Sequence, residues 1–349
     1  MTVISNKGII FKSIPKGMPK VDENFELIHR TIDIENLNLG ENELVLKNLY
    51  LSLDPYTRFY NLNNPALVGQ IITGFGVSEV VKTNNPNYKV GDLVNSYGRI
   101  GWEEYSHVKA DVTSDFIPIK KELLKGIPLS YRVSLLNVGG LTSYGSLMVV
   151  GKPKEGETIF VSTAAGSIGQ IVGQIAKIKG LRVIGSTGSD EKVDFLLNEL
   201  KFDAAFNYKK VNLDEALSKH CPNGIDIYYD NVGGETLEVA IDHCNKFARI
   251  VLCGMTSQYN ITDPKEKYGV KNLGNLIEKS ICMQGFTAGN YLGTDIQKEF
   301  EKDIFEWIKT GKIIYKENVS VGIENVPKGF IDMLNGNSIG KAIAKLADY

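Results

Sequence analysis

The sequence predicts an α/β protein that joins a doubly wound parallel sheet to a separate, turn-rich β domain. Three observations carry this. After Gly156, short apolar runs alternate with helical patterns as far as Gly285. The first such run leads through a small-residue turn, Ser162-Thr-Ala-Ala-Gly-Ser-Ile-Gly169, into a helix. Residues 1 to about 125, by contrast, read as short strands broken by Gly, Pro, Asn and Asp.

In chain order, strands are expected at Ile9–Ile14, Phe25–Ile32, Glu43–Ser52 and Ile71–Val81, then around Val94 and over Trp102–Val108. A helical pattern takes over from Leu136 to Val149. The parallel sheet is expected from Thr158–Thr163, Arg182–Ser186, Ala204–Asn207, Ile225–Asp230, Ala248–Cys253 and Ile281–Gly285. Helices fit between them at Glu191–Leu200, Leu213–Lys219 and Glu235–His243. In Asp295–Thr310, Ile296, Phe300, Ile304, Trp307 and Ile308 share one helical face. The last segments, Lys316–Val321, Val326–Leu334 and Ala342–Leu346, match the first domain in character and are expected to complete it. The expected division is 1–130 with 312–349 for the β domain and 131–311 for the parallel-sheet domain.

Composition excludes several classes. The 349 residues carry a formal charge of −2 with both signs interspersed, which is no footprint for nucleic acid. No apolar run approaches the ~20 residues of a membrane span, and the N-terminus has no signal-peptide pattern, so the expected location is cytoplasmic. Cys221, Cys244, Cys253 and Cys282 form no Cys-x-x-Cys pair and are expected as ordinary reduced thiols, with no metal site.

The strand–turn–helix unit holds an anion where backbone N–H groups and the helix dipole converge. Ala165, Gly166, Ser167, Ile168 and Gly169 would supply that surface, although such turns also occur in units that bind nothing. The second strand ends in Ser186, Thr187 and Gly188, with no acid for a ribose 2′-hydroxyl, and Lys192 follows one turn later. That favours NADP(H) over NAD(H); taken alone, Lys192 also fits a solvated helix surface. Asn231 fits a ribose or phosphate contact and equally a turn residue before Val-Gly-Gly. Gly254 leaves backbone room beside a cofactor. Tyr259 offers a phenol, or merely a surface tyrosine of a polar loop.

At this point the chain resembles the zinc-independent medium-chain dehydrogenases/reductases, in the branch of prostaglandin reductases and NADP-dependent alkenal double-bond reductases. The resemblance rests on Leu51-Ser-Leu-Asp-Pro-Tyr-Thr-Arg58, Gly101-Trp-x-Glu-Tyr105, Leu141-Thr-Ser-Tyr144, the run Ala164 to Lys177, Gly188-Ser-Asp-Glu-Lys192, Phe206-Asn-Tyr-Lys209, Asp230-Asn-Val-Gly-Gly-Glu235, Cys253-Gly to Tyr259-Asn260, and Gly340-Lys341. It implies a GroES-like β domain plus a Rossmann domain. It implies that Lys192 and Tyr208 hold the 2′-phosphate of NADP(H), and that Asn231 lines the cofactor. The loop Cys253, Gly254, Met255, Thr256, Ser257 to Tyr259 and the loop Phe286, Thr287, Ala288 would line it too. Tyr259 would stand at the reacting end and Tyr56 in the substrate pocket. Two departures stand out: Ser338 takes the place of an asparagine that meets the cofactor in similar proteins, and Thr57 that of a methionine after Asp-Pro-Tyr.

The implied reaction is zinc-independent hydride transfer to the β-carbon of an α,β-unsaturated aldehyde or ketone, with Tyr259 donating to the oxygen or relaying a proton. Relatives that use zinc carry a cysteine early in the first domain; here none precedes Cys221. The alternatives are a quinone reductase of the zeta-crystallin type and an NADPH-binding protein without useful turnover. Similar proteins pair as homodimers through the Rossmann sheet edge, which makes Ile281–Gly285 the candidate edge unless the loop after it caps it.

Overall fold

A computed structural model describes residues 3–349. Its strands are β1 (Val3–Phe11), β2 (Phe25–Asp33), β3 (Leu44–Ser52), β4 (Thr73–Thr83), β5 (Leu93–Gly101), β6 (Tyr105–Val108), β7 (Phe116–Pro118), β8 (Thr158–Val161), β9 (Arg182–Thr187), β10 (Ala204–Asn207), β11 (Ile225–Asp230), β12 (Cys244–Leu252), β13 (Cys282–Gly285), β14 (Glu317–Val321) and β15 (Lys341–Lys345). The chain divides into two compact units, Met1–Ser134 with Glu317–Tyr349, and Leu135–Lys316. These limits lie a few residues beyond those expected from sequence. Val133 packs with Leu49, Val77 and Ile343 in the first unit. The segment before Glu317 is zipped to the second: Ile314 and Gln174 exchange two hydrogen bonds of 2.8 Å, and Lys316 and Gln170 exchange two of 3.0 and 3.1 Å.

The first unit is built on β3. Its sheet runs β14-β15-β3-β4-β5-β7, with β6 also paired to β3, and β1 and β2 form a separate antiparallel pair. Leu44, Leu46 and Leu51 of β3 face a core shared with Phe25, Trp102 and Phe330. The one amide in this strand is fully satisfied: Asn48 Nδ2 donates to the Glu103 carbonyl and Ser106 Oγ, and Oδ1 accepts from Ser78 Oγ. The C-terminal segment does return, since β15 pairs antiparallel with β3, Ile343 opposite Ser52.

The second unit holds six parallel strands in the order β10-β9-β8-β11-β12-β13, the doubly wound order in which ligands sit at the carboxyl ends of the central strands. Both faces of β8 are buried, which is why it reads as a continuous apolar run rather than an alternation. β12 starts at Cys244, earlier than the apolar run suggests, because Cys244 already pairs with Ile225 ahead of a bulge. The helix after β9 covers Asp190–Asp194 and widens into a π turn over Phe195–Glu199. Among the described residues no helix is long and apolar enough to cross a membrane.

Candidate active site

The glycine turn forms as the residue types require. β8 ends at Val161, and Thr163 takes a left-handed backbone with φ 51°. For a β-branched residue this is strained and needs surrounding contacts to hold it. The helix Gly169–Ile178 then packs onto the turn. A Cβ on Gly169 would lie 2.5 Å from the Thr163 carbonyl oxygen and 2.6 Å from Ala164 Cα, so only glycine fits. No side chain of the preceding residue, Ile168, caps the helix. Ala165, Gly166 and Ser167 lie on the stretch between strand and helix, the Ser167 hydroxyl 3.3 Å from that of Tyr315.

The neighbouring strand β11 fixes the turn from the side. Tyr228 Oη donates to Asp230 Oδ1 at 2.7 Å and lies 3.2 Å from Ser162 Oγ. Asp230 Oδ1 also accepts the N–H groups of Val232 and Gly233, both at 2.9 Å, and so shapes the Asn231-Val-Gly-Gly turn. Burial nevertheless pushes the Asp230 carboxyl above its ordinary range. Asn231 donates its side-chain N–H to the Ser162 carbonyl at 2.7 Å, which ties the ends of β8 and β11 together. On the opposite face, the Tyr229 hydroxyl lies 2.6 Å from Ser146 Oγ.

At the ends of β9 and β10 the cationic residues gather. Ser189 Oγ accepts the Lys192 N–H, starting the short helix so that Lys192 is buried, 8 % exposed, rather than solvated. Burial first, and the charge of Lys209 second, press the Lys192 ammonium below its usual range. A Cβ on Gly188 would be 3.3 Å from Tyr208 Oη and 3.5 Å from Lys209 Nζ, so both groups approach this strand end. The nearby acid Asp190 is taken up by Asn207 and Lys210. Sequence reasoning by residue missed Lys209 as a cation of this cluster. The signal was there: in a doubly wound sheet the third strand lies beside the second, so the residues just past β10 meet those just past β9.

The loop after β12 is held by its own side chains. Cys253 and Gly254 donate their N–H groups to the Asp230 carbonyl. Thr256 Oγ1 donates to the Asn231 carbonyl at 3.0 Å and Ser257 Oγ to that of Val232 at 2.7 Å. Tyr259 Oη accepts the Met255 N–H at 3.2 Å and would be 3.3 Å from a Cβ on Gly254. Cys253 is pushed up to about 11 by burial, which makes it an inert thiol. After β13, Phe286 stacks on Tyr291 at 4.6 Å; Thr287 is exposed and Ala288 buried.

Tyr56 and Ser338 belong to the first unit. Tyr56 opens a five-residue helix, Tyr56–Tyr60, behind Asp54-Pro55. That turn is anchored by Lys341, 3 % exposed, whose Nζ donates to the Leu53 carbonyl at 2.6 Å and to Asp54 Oδ1 at 2.8 Å. Ser52 Oγ donates to the other carboxylate oxygen. The Tyr56 ring meets Phe75 edge-on at 5.3 Å. Burial, then Asp54, raises its phenol far above the ordinary range. Ser338 is buried, and its neighbour Asn337 turns away to Asp332. The four cysteines are free, and among the described residues no group of three His, Cys, Asp or Glu is placed to hold a metal ion.

The residues present fit a dinucleotide carrying a 2′-phosphate: a glycine-only approach at the helix start, and two lysines and a phenol where the second and third strands end. Fold and site together define a two-domain nicotinamide-dinucleotide oxidoreductase. Residues 7–115 match the family described as N-terminal domain of oxidoreductase, and residues 167–310 that described as zinc-binding dehydrogenase. The chain is 40 % identical to the NADP-dependent 2-alkenal reductase of Nicotiana tabacum, over 99 % of this chain and 98 % of the relative. It is 38 % identical to prostaglandin reductase 1 of Bos taurus, over 94 % and 95 %. The crystal structure of CurA in complex with NADPH from Vibrio vulnificus has the same fold, with a TM-score of 0.86 and 35 % identity over 98 % of this chain and all of that one. The chain therefore belongs to the medium-chain dehydrogenase/reductase family, in the group of NADP-dependent double-bond reductases.

Proposed function

We propose that this protein is an NADPH-dependent reductase of α,β-unsaturated aldehydes and ketones, saturating the carbon–carbon double bond without zinc. One observation carries the cofactor half of the reading: Lys192, Tyr208 and Lys209 meet at the ends of β9 and β10, with the neighbouring acid Asp190 engaged by Asn207 and Lys210. The branch-level likeness to an alkenal reductase supports the substrate half.

Bound NADPH supplies the hydride. Lys192, Tyr208 and Lys209 hold the 2′-phosphate through charge-assisted bonds. Gly166, Ser167, Ile168 and Gly169 present the helix start to the pyrophosphate, with Ala165 behind them. Asn231, the loop Cys253 to Ser257, and Phe286, Thr287, Ala288 and Ser338 complete the cofactor contacts. Tyr259, held beside Gly254 by the Met255 N–H, donates its proton toward the substrate oxygen as charge develops there. Such a donor stabilises the transition state by ~3 kcal/mol. Tyr56 contacts the substrate. Two copies pair through β13, whose residues Cys282, Gln284 and Gly285 are exposed.

The test is NADPH oxidation by purified protein with a medium-chain alkenal, with NADH and a quinone as controls, and product analysis. NADPH-dependent saturation of the double bond is expected. Turnover of the quinone alone assigns a quinone reductase, and cofactor binding without turnover of either compound assigns a binding protein.

A further inference from the structure

Gly74 of β4 is a glycine that packing does not demand. Its backbone is not left-handed, and an added Cβ would meet nothing closer than 3.5 Å. Two residues on, Gly76 is different: there a Cβ would be 2.9 Å from the Tyr50 carbonyl oxygen. The three atoms that a Cβ at Gly74 would touch are all polar. Trp102 Nε1 lies 3.5 Å from it, Tyr56 Oη 3.7 Å and the Ser52 carbonyl oxygen 3.9 Å. Both groups are buried and neither donates a hydrogen bond, not even to the other, although the Phe75 N–H and the Thr57 hydroxyl approach the Tyr56 oxygen. Two such donors around one point are costly unless an acceptor joins them.

The indole cannot turn away to solve this. Trp102 is fully buried, stacked on Phe25 at 6.4 Å and edge-on to Phe330 at 5.6 Å. Its backbone is bonded on both sides, N–H to the Ile72 carbonyl and carbonyl to the Ile9 N–H, each at 2.7 Å. The turn that carries Tyr56 is anchored by Lys341 and Asp54, and the Tyr56 ring packs edge-on against Phe75.

We propose that Gly74, Trp102 and Tyr56 form a subsite for one neutral oxygen acceptor, which the indole N–H and the phenol O–H hold together. The oxygen is that of a substrate carbonyl or hydroxyl, or that of a resident water, whose own proton then reaches the Ser52 carbonyl. Gly74 keeps the space that the oxygen needs. Trp102 thereby acts as a specificity-determining residue in the first source and as a positioning residue for Tyr56 in the second. Only the substrate source rests on the enone-reductase reading.

The chain has two tryptophans, so an amide-proton NMR spectrum of nitrogen-15-labelled protein shows two indole signals, which Trp307→Phe assigns. Spectra are taken of the wild type and of Gly74→Ala, each alone and with NADP+ plus benzylacetone, a saturated ketone that does not turn over. A Trp102 signal in the hydrogen-bonded range without ligand, moved upfield by Gly74→Ala, supports the subsite with water. A signal that moves downfield only when benzylacetone is added, and not in Gly74→Ala, supports it with a substrate oxygen. In that case Trp102→Phe and Gly74→Ala raise KM for the enone benzalacetone about tenfold with kcat nearly unchanged. Tyr56→Phe removes one donor without adding volume and must also shift the Trp102 signal. If the signal is the same in wild type, Gly74→Ala and Tyr56→Phe, with and without ketone, the proposal is overturned. The NMR reading needs no turnover, so it stands or falls separately from the assignment of the reaction.

Discussion

Replacing Lys192 by methionine removes a charge from the β9–β10 cluster while filling the same buried space. A hydrogen bond to a charged group contributes about 1.5–3 kcal/mol. At 1.4 kcal/mol per factor of ten, the Kd for NADPH should rise about 10- to 150-fold. NADH lacks the 2′-phosphate, and its Kd should stay within about twofold. Lys209 sits in the same cluster but is exposed. An exposed ion pair contributes up to about 1 kcal/mol, so Lys209→Met should cost up to about fivefold, and less at high salt. The pH dependence has a definite sign. Burial and Lys209 both lower the Lys192 pKa, so its charge is lost at a lower pH than that of an ordinary lysine. NADPH affinity should therefore decline on the alkaline side, and Lys209→Met should move that decline to higher pH. Equilibrium titration of both cofactors at two salt concentrations measures all of this. Equal weakening of NADPH and NADH by Lys192→Met would refute the phosphate assignment.

Tyr259→Phe should lower kcat by about a hundredfold or more, in the range of general acid–base catalysis, while leaving the NADPH Kd unchanged; full activity would remove this residue from proton donation. Gly169→Ala forces a Cβ against backbone on two sides, at 2.5 and 2.6 Å, and should destabilise the protein by about 1–3 kcal/mol in a thermal melt; an unchanged melt would mean that helix and turn are not packed as described. Glu43 is held at about 2 instead of 4.5 by Lys109, then His107, then the Gly40 N–H. Its stabilising contribution is thus complete above about pH 5 and is lost as pH falls toward 2. Glu43→Gln should be less stable than wild type at neutral pH, with the gap closing in denaturation curves taken down this acid range; a gap independent of pH would contradict the assignment.

The sheet of the second unit was legible because parallel strands covered on both faces have to be apolar throughout, and β8 to β11 are short and bounded by turn residues. The return of the C-terminal segment was legible in its strand-like character. The helix Tyr56–Tyr60 was not, since five residues after a proline make too little periodicity to detect. Nor could residue order reveal that Ser162 is the partner of both Asn231 and Tyr228, almost seventy positions away. Lys192 shows the remaining ambiguity best. Its helical position allows a solvated side chain, and only the cap at Ser189 and the neighbouring strand ends make it a buried cation.

The two consecutive tyrosines of β11 settle a question that burial alone leaves open. In a strand, neighbouring side chains point to opposite faces, and sliding by one residue exchanges the faces. At Tyr228 and Tyr229 such a slide swaps one tyrosine for another, so hydrophobicity at these positions barely opposes it. The hydroxyls tell the two arrangements apart at these positions: that of Tyr228 meets Ser162 just past β8, and that of Tyr229 meets Ser146 on the other face. A buried hydroxyl stranded without a partner costs about 1–3 kcal/mol; a slide carries Asp230 along with Tyr228 but takes Tyr229 away from Ser146. The polar atoms inside this otherwise oily sheet thus act as its alignment key, and they set β11 against β8 in the one register that brings the Asn231 turn beside the glycine turn.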